Sequence, residues 1–204
     1  TNPRWTISRE AARARAGATL RAVCEIQERQ SAVPEEWGWA GLPYHLVDER
    51  GRRARKSEVS SVDGALLLAG VLQAGQHFGG ALREQADAIF RNADLKRFYR
   101  KEHNRYSHGW RPEGGLLAVE WDRPGDETLL VCLLSLARDP GDPDRLRAGY
   151  GYPREIEEYA GIPVVRSYFG SLFTYAFAHF WIPFDRLGKD RPGDAGMPDV
   201  PAVN

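Results

Sequence analysis

Between residues 8 and 30, apolar side chains recur at steps of four and three, at Ala12, Ala16, Leu20, Val23 and Ile26. Arg9, Arg13, Arg15 and Arg21 fall on the other positions. The spacing predicts a one-faced amphipathic helix, ended by Pro34. Residues 37–56 carry no regular period, with a hairpin expected around Tyr44-His45-Leu46-Val47 that turns at Glu49-Arg50-Gly51. Ser60-Ser61-Val62-Asp63 then has the capping-box form. The run that follows, Ala65-Leu66-Leu67-Leu68-Ala69-Gly70-Val71-Leu72, is apolar on every side and predicts a helix buried all round. After Gly79-Gly80, residues 81–99 are amphipathic again on Leu82, Ala86, Ile89, Phe90 and Ala93. A β-hairpin is expected after residue 108, then a second all-apolar helix over 127–137 and a loop over 139–143. Short helices are expected over 144–148 and 154–160, and a third apolar, aromatic helix over 171–181. From Pro183 to Asn204 the chain is loop-like.

Amphipathic and apolar helices therefore alternate, which suggests helical hairpins in two layers, with the apolar helices inside and mutually packed over residues 66–72, 129–136 and 172–180. In such a layer the inner helices run the same way and their first turns share one mouth. Asp63 and Glu127 are both first-turn acids of apolar helices, and both would face that opening. The plainer meaning is that acids favour helix N-termini through the dipole. Three hairpins leave an open apolar edge, more than a monomer tolerates. The expectation is one domain over 1–204, truncated at its C-terminal end, with the remainder of the fold supplied by further chain.

The chain has 204 residues and balances 28 basic against 28 acidic side chains. The arginines are scattered among acids, which argues against a nucleic-acid partner. No apolar run is long enough to span a bilayer. Cys24 and Cys132 sit in apolar helical patterns and read as free buried thiols. No His, Cys and Asp spacing suggests a metal, and no glycine-rich loop suggests a phosphate-bearing cofactor.

The densest chemistry lies between His108 and Glu127. Trp110, Glu113, Glu120, Trp121, Asp122, Asp126 and Glu127 gather there between glycines and prolines, just before the apolar run 129–134. Carboxylates can move protons and indole rings can stack on sugar faces, so acids and tryptophans beside a buried element suit a sugar site. The bland alternative is a surface hairpin leading into a core helix. Glu113 stands at a Pro-Glu-Gly-Gly turn and either points into a cleft or is a plain turn residue. Glu120 follows an alternating pattern that faces solvent. Trp110 and Trp121 are stacking platforms or core filling. His179, among Phe177, Phe180 and Trp181, contacts a substrate or is a hydrogen-bonded core histidine.

Several of these segments resemble one family. Ser60-Ser61-Val62-Asp63-Gly64-Ala65 with Ala69-Gly70 resembles the SSxDTA…AG helix start of the glucoamylase-like bacterial family, which includes endo-β-1,2-glucanases and a domain of cyclic β-1,2-glucan synthases. Trp110-Arg111-Pro112-Glu113-Gly114-Gly115 resembles its WxPExGF turn, and residues 121–127 its WxxYxE segment. Residues 170–184 are similar to its GPLFTHQYSHxWIDF helix, and residues 197–203 to the loop before its WWENS motif. The resemblance covers residues 44–204. It implies an all-α fold, about half of an (α/α)6 toroid of helical hairpins with a small β-hairpin. It also implies an enzyme that hydrolyses or transfers β-linked glucans by carboxylate general acid/base catalysis, in the periplasm or outside the cell. Its partner is then an oligo- or polysaccharide. By motif position Glu127 matches the proposed proton donor and Asp63 an acid of the same cleft, with Trp110, Glu113, Trp121 and His179 as substrate contacts. The chain departs from the pattern at Gly64, at Gly125-Asp126, at Tyr175, Phe177 and Ala178, and at Pro183, which replaces the Asp of IDF. Those departures imply the alternative of a catalytically inactive carbohydrate-binding or scaffold domain of the same fold.

Overall fold

The computed structural model describes residues 7–123, 125–142, 145, 148, 156–167, 171–183 and 186. The chain forms two compact units. One is built from the segment ending at Asp94 together with Trp110–Glu113, the other from Leu95–Gly109 and Gly114 onward. About half of the described residues are helical, and small β-hairpins make up most of the remaining regular structure.

In the first unit α1 (Arg9–Gln30) starts where the pattern predicts. The Ser8 hydroxyl accepts the Ala11 N–H at 3.1 Å, satisfying a first-turn donor. A short α2 (Pro34–Trp37) follows, with Pro34 opening a helix where it was expected only to close one. β1 (Val59–Ser60) feeds α3 (Ser61–Phe78), and the Ser60 hydroxyl accepts the Asp63 N–H at 3.2 Å, as the capping box requires. Gly79 and Gly80, at φ 65° and 56°, turn the chain into α4 (Ala81–Asn92). The core joins Leu20 and Val23 of α1, Leu68, Ala69 and Val71 of α3, and Leu82, Ala86 and Ile89 of α4, with Leu42 and Tyr44.

Two buried glutamines of α1 fix the next loop. Gln27 donates to the carbonyls of Gly41 and Ile89, and Gln30 donates to that of Leu42 while accepting the Gly41 N–H. Gly41 stands at φ 75°, where a Cβ would come 2.2 Å from the Asn92 carbonyl oxygen, so only glycine fits. The expected hairpin is present. Val47 bridges Arg53 in antiparallel fashion, and the Asp48 carboxylate accepts the N–H groups of Arg50 and Arg52 across the turn.

The second unit begins with a 3-10 turn (Leu95–Phe98), then β2 (Tyr99–Arg100) paired with β3 (Arg105–Tyr106). The helix expected to run to residue 99 therefore stops at Asn92. Ala93 is extended, Asp94 gives its N–H to the Ala40 carbonyl, and the three-residue spacing of buried Leu95 and Phe98 suits a 3-10 turn. β4 (Gly109–Arg111), whose Trp110 and Arg111 belong to the first unit, is hydrogen-bonded there to β1, and β5 (Gly115–Leu116) follows it in the chain. α5 (Asp126–Arg138) buries Thr128, Leu130, Val131, Cys132 and Ser135. Arg145 is fully buried beside it, donating to the Ser135 hydroxyl and the Asp139 carbonyl, while the Cys132 thiol donates to the Arg145 carbonyl. β6 (Ile156–Tyr159) and β7 (Ile162–Val165) make a two-residue hairpin, and α6 (Phe173–Ala176) with a 3-10 turn (Ala178–Phe180) packs on α5.

Three expectations need correction. Residues 156–159 form a strand, not part of a helix over 154–160, because Ala160 and Gly161 take φ 52° and 79°, the primed turn that closes a tight hairpin. The aromatic segment 171–181 is not one buried helix. Its inward positions are the small Thr174 and Ala178, four apart, while Leu172, Phe173 and Phe180 are 79%, 64% and 71% exposed. α3 and α5 are also not buried all round, since Leu66, Leu67 and Leu72 of α3 and Leu129, Leu133 and Leu134 of α5 are only half-buried. The helix expected at 144–148 and the tail beyond Pro183 lie outside the described residues, apart from Arg145, Ala148 and Arg186. Neither Cys24 nor Cys132 is disulfide-bonded, and Cys132 is buried while Cys24 is half-buried.

Candidate functional site

Asp63, Trp110 and Glu113 belong to the first unit; Trp121, Glu127 and His179 belong to the second.

In the first unit, the α1 glutamines hold the loop that presents Trp39, and β4 brings Trp110 alongside it. The two indoles stack with centroids 5.0 Å apart and planes 2° apart, each ring half-buried. An indole whose orientation is fixed by a parallel neighbour is already ordered before a ligand arrives, so less entropy is lost on binding. Asp63, in the first turn of α3, leaves 46% of its side chain exposed, and its carboxylate lies 3.6 Å from His45 Nδ1. The same nitrogen is 3.2 Å from Glu58, whose other oxygen accepts from Arg111 at 3.2 Å. Burial works to raise the Glu58 pKa, but its own backbone N–H, His45 and Arg111 outweigh that and hold it below the usual glutamate value.

Glu113 is engaged elsewhere. Both its oxygens meet the Arg53 guanidinium in a bidentate pair, while Arg53 also donates to the Ser57 and Lys56 carbonyls and lies over the Tyr44 ring. The Arg53 hydrogen bonds hold the Glu113 carboxyl below its ordinary range, so it is ionised at neutral pH and suited to anchoring the turn rather than donating a proton.

In the second unit Trp121 is 5% exposed and stacks on His108 with ring centroids 3.9 Å apart, the buried one of the two placements its sequence allows. Burial lowers the His108 pKa, favouring the neutral ring against the indole. Glu120, expected to face solvent, keeps only 10% of its side chain exposed and is held by Arg100 Nε at 3.1 Å and His103 Nδ1 at 2.7 Å. Glu127 is the second residue of α5 and half-buried. Gly125 precedes it because a Cβ there would meet Ser167 Oγ at 2.9 Å, which lets Ser167 and α6 close against the helix start. α6 and the following turn, which carries His179, pack on α5, and the Tyr175 hydroxyl accepts the Ser167 N–H at 2.8 Å. His179 is half-buried.

Pattern reasoning missed Trp39, His45, Glu58 and Arg111. The sequence Trp37-Gly38-Trp39-Ala40-Gly41 carried a signal, since closely spaced glycines mark a sharply turned loop on which an aromatic is held in place.

No family model matches the chain, and no curated protein matches it. A solved structure does: the crystal structure of a putative glucoamylase from Bacteroides caccae, at a TM-score of 0.63 and 20% identity over 83% of this chain and 42% of that one. The chain has a glucoamylase-like fold and spans about two fifths of the length of that protein. Among the described residues no helix is long and apolar enough to cross a membrane.

Proposed function

We propose that the chain is part of a carbohydrate-active enzyme that hydrolyses or transfers β-linked glucans, β-1,2-glucan among them, in the periplasm or outside the cell. The observation that carries this reading is the likeness of 83% of the chain to a glucoamylase-like structure. In this reading the chain supplies about half of an (α/α)6 toroid of helical hairpins. Glu127 delivers the proton to the leaving oxygen. Asp63 contacts the sugar at the reacting end, and Trp110, backed by Trp39, stacks on a pyranose face. Most glycosidases need two acids, separated by roughly 6.5–9.5 Å when a water must fit between them.

A second reading is a carbohydrate-binding domain with no turnover. It is supported by Tyr175, which stands where the resemblance expects a histidine and spends its hydroxyl on the Ser167 backbone. Incubation of the purified protein with β-1,2-, β-1,3- and β-1,4-glucans, followed by reducing-end assay, separates the two. Release from one linkage supports the enzyme, and retention of glucan in affinity electrophoresis without release supports the binding domain.

A further inference from the structure

The first unit carries a groove that the candidate site does not use. It is an open groove of about 530 Å³ between the C-terminal half of α1, α2 and the tip of the hairpin that follows, lined by Glu25, Arg29, Glu36, Trp37, Glu49, Arg50 and Arg52. Alternation along the hairpin separates it from the Asp63 side. Arg53 turns to Tyr44 and Glu113, while its neighbour Arg52 turns into the groove towards Asp48 and Glu36.

The lining is organised around one indole. Arg29 lies over the Trp37 ring at 4.5 Å from its centroid, and the hairpin tip closes beside it at Gly51, where a Cβ would meet Ile26 at 3.1 Å and Trp37 at 3.7 Å. Three arginines face three glutamates, so the groove has no net formal charge. Arg52 is already neutralised by the Asp48 carboxylate at 2.9 Å and by Glu36 at 3.6 Å, and Arg29 lies 3.9 Å from Glu25. With two of the three arginines met by carboxylates and no net charge across the lining, the groove favours neither a phosphate nor a cation. It suits a neutral ligand rich in hydroxyls, because carboxylates accept and guanidinium groups donate hydrogen bonds in the paired geometry that vicinal hydroxyls offer.

We infer that this groove is a second, non-catalytic binding site for a neutral oligosaccharide, holding a distant stretch of the same glucan chain. The ligand class rests on the proposed function; the site itself rests on the groove. Two sites on one polymer raise the effective concentration of substrate at the cleft without any new contact there. Loss of the groove therefore weakens attachment to long glucan while turnover of short fragments is unaffected.

The test is affinity electrophoresis through soluble β-1,2-glucan, run beside a hydrolysis assay on short β-1,2-gluco-oligosaccharides. Arg50→Ala and Trp37→Ala are each compared with the wild type, with circular dichroism to confirm folding. Arg50→Ala keeps the proposal testable should Trp37→Ala fail to fold. Loss of one aromatic or charged contact predicts about a tenfold weaker retention by the polymer with short-fragment turnover unchanged. Folded variants retained like the wild type, with hydrolysis intact, would overturn the groove and leave the proposed function standing. Groove-dependent retention by a wild type that hydrolyses nothing would support the groove and defeat the enzyme reading. A wild type that is not retained at all overturns the groove, whatever its turnover.

Discussion

Gly75→Ala tests how closely α3, the helix whose first turn carries Asp63, is packed. Gly75 is buried on the face of α3 turned to α4. A Cβ placed there stands 2.6 Å from the Ala86 Cβ and 3.3 Å from the Arg83 Cα, both parts of α4 that cannot swing aside. Carbon atoms in good contact sit about 3.5–4.0 Å apart, so the two helices must separate by roughly 1 Å. Alanine is favoured over glycine inside a helix by about 1 kcal/mol, and forcing a methyl group into a packed interface costs about 1–3 kcal/mol. Parting the helices also strips contact along the rest of the seam. The net expectation is a loss of about 1–2 kcal/mol, against a near-neutral Gly114→Ala control, since no atom lies within 4 Å of a Cβ at Gly114. Urea titration followed by far-ultraviolet circular dichroism reads both variants. An unchanged or raised midpoint for Gly75→Ala would show that the helix pair is looser than described, and the close-packed hairpin would have to be abandoned.

Other substitutions separate capping, charge and stacking. Ser60→Ala removes the side-chain acceptor for the Asp63 N–H and should cost about 1 kcal/mol in the same titration; no loss would mean the cap is made by water or another group. Glu58 has its pKa held below the glutamate value of 4.5, so its stabilisation is present above that value and lost as pH falls through the folded one. The thermal advantage of the wild type over Glu58→Gln should therefore narrow as the pH falls below 4.5, and an advantage that grows in acid would contradict the Arg111 and His45 contacts. Trp121→Ala should lower stability by about 3–5 kcal/mol as a buried ring is lost, whereas Trp110→Ala should chiefly weaken glucan retention. The opposite pattern would exchange their roles.

Where one physical cause dominated, the sequence was legible. Ser8 and Ser60 cap helices because a hydroxyl ahead of an apolar-periodic run has few better partners than the orphan N–H groups. The apolar run after Glu127 makes α5, and Gly-Pro-rich flanks mark the 108–127 hairpin. What escaped was decided by partners distant in sequence. Residues 93–99 continue a helical pattern, yet Asp94 is claimed by Ala40, more than fifty positions earlier. Ala160-Gly161 is a weak hairpin signal because alanine rarely takes positive φ. The apolar residues at 172, 173 and 180 look like core by composition, but the positions that are buried in this segment are the small Thr174 and Ala178. The placement of Asp63 in the first turn of α3 and of Trp110 on a strand was readable from their motifs. The stacking of Trp39 on Trp110 and the diversion of Glu113 to Arg53 depend on pairs more than fifty residues apart, which no local pattern records.

The central claim is that a carboxyl group at position 127 carries a proton to a glucan. Its most direct test is reducing-end release from β-1,2-glucan by the wild type and by Glu127→Gln, with retention by the same glucan measured in parallel. Glutamine keeps the size and hydrogen-bonding reach of glutamate but cannot act as a carboxylic acid. The account predicts release by the wild type, loss of 10²-fold or more in the variant, which is about the contribution expected of a general acid, and nearly equal retention of both. Hydrolysis by Glu127→Gln at the wild-type rate would contradict it and leave Glu127 as an acid that merely begins a helix.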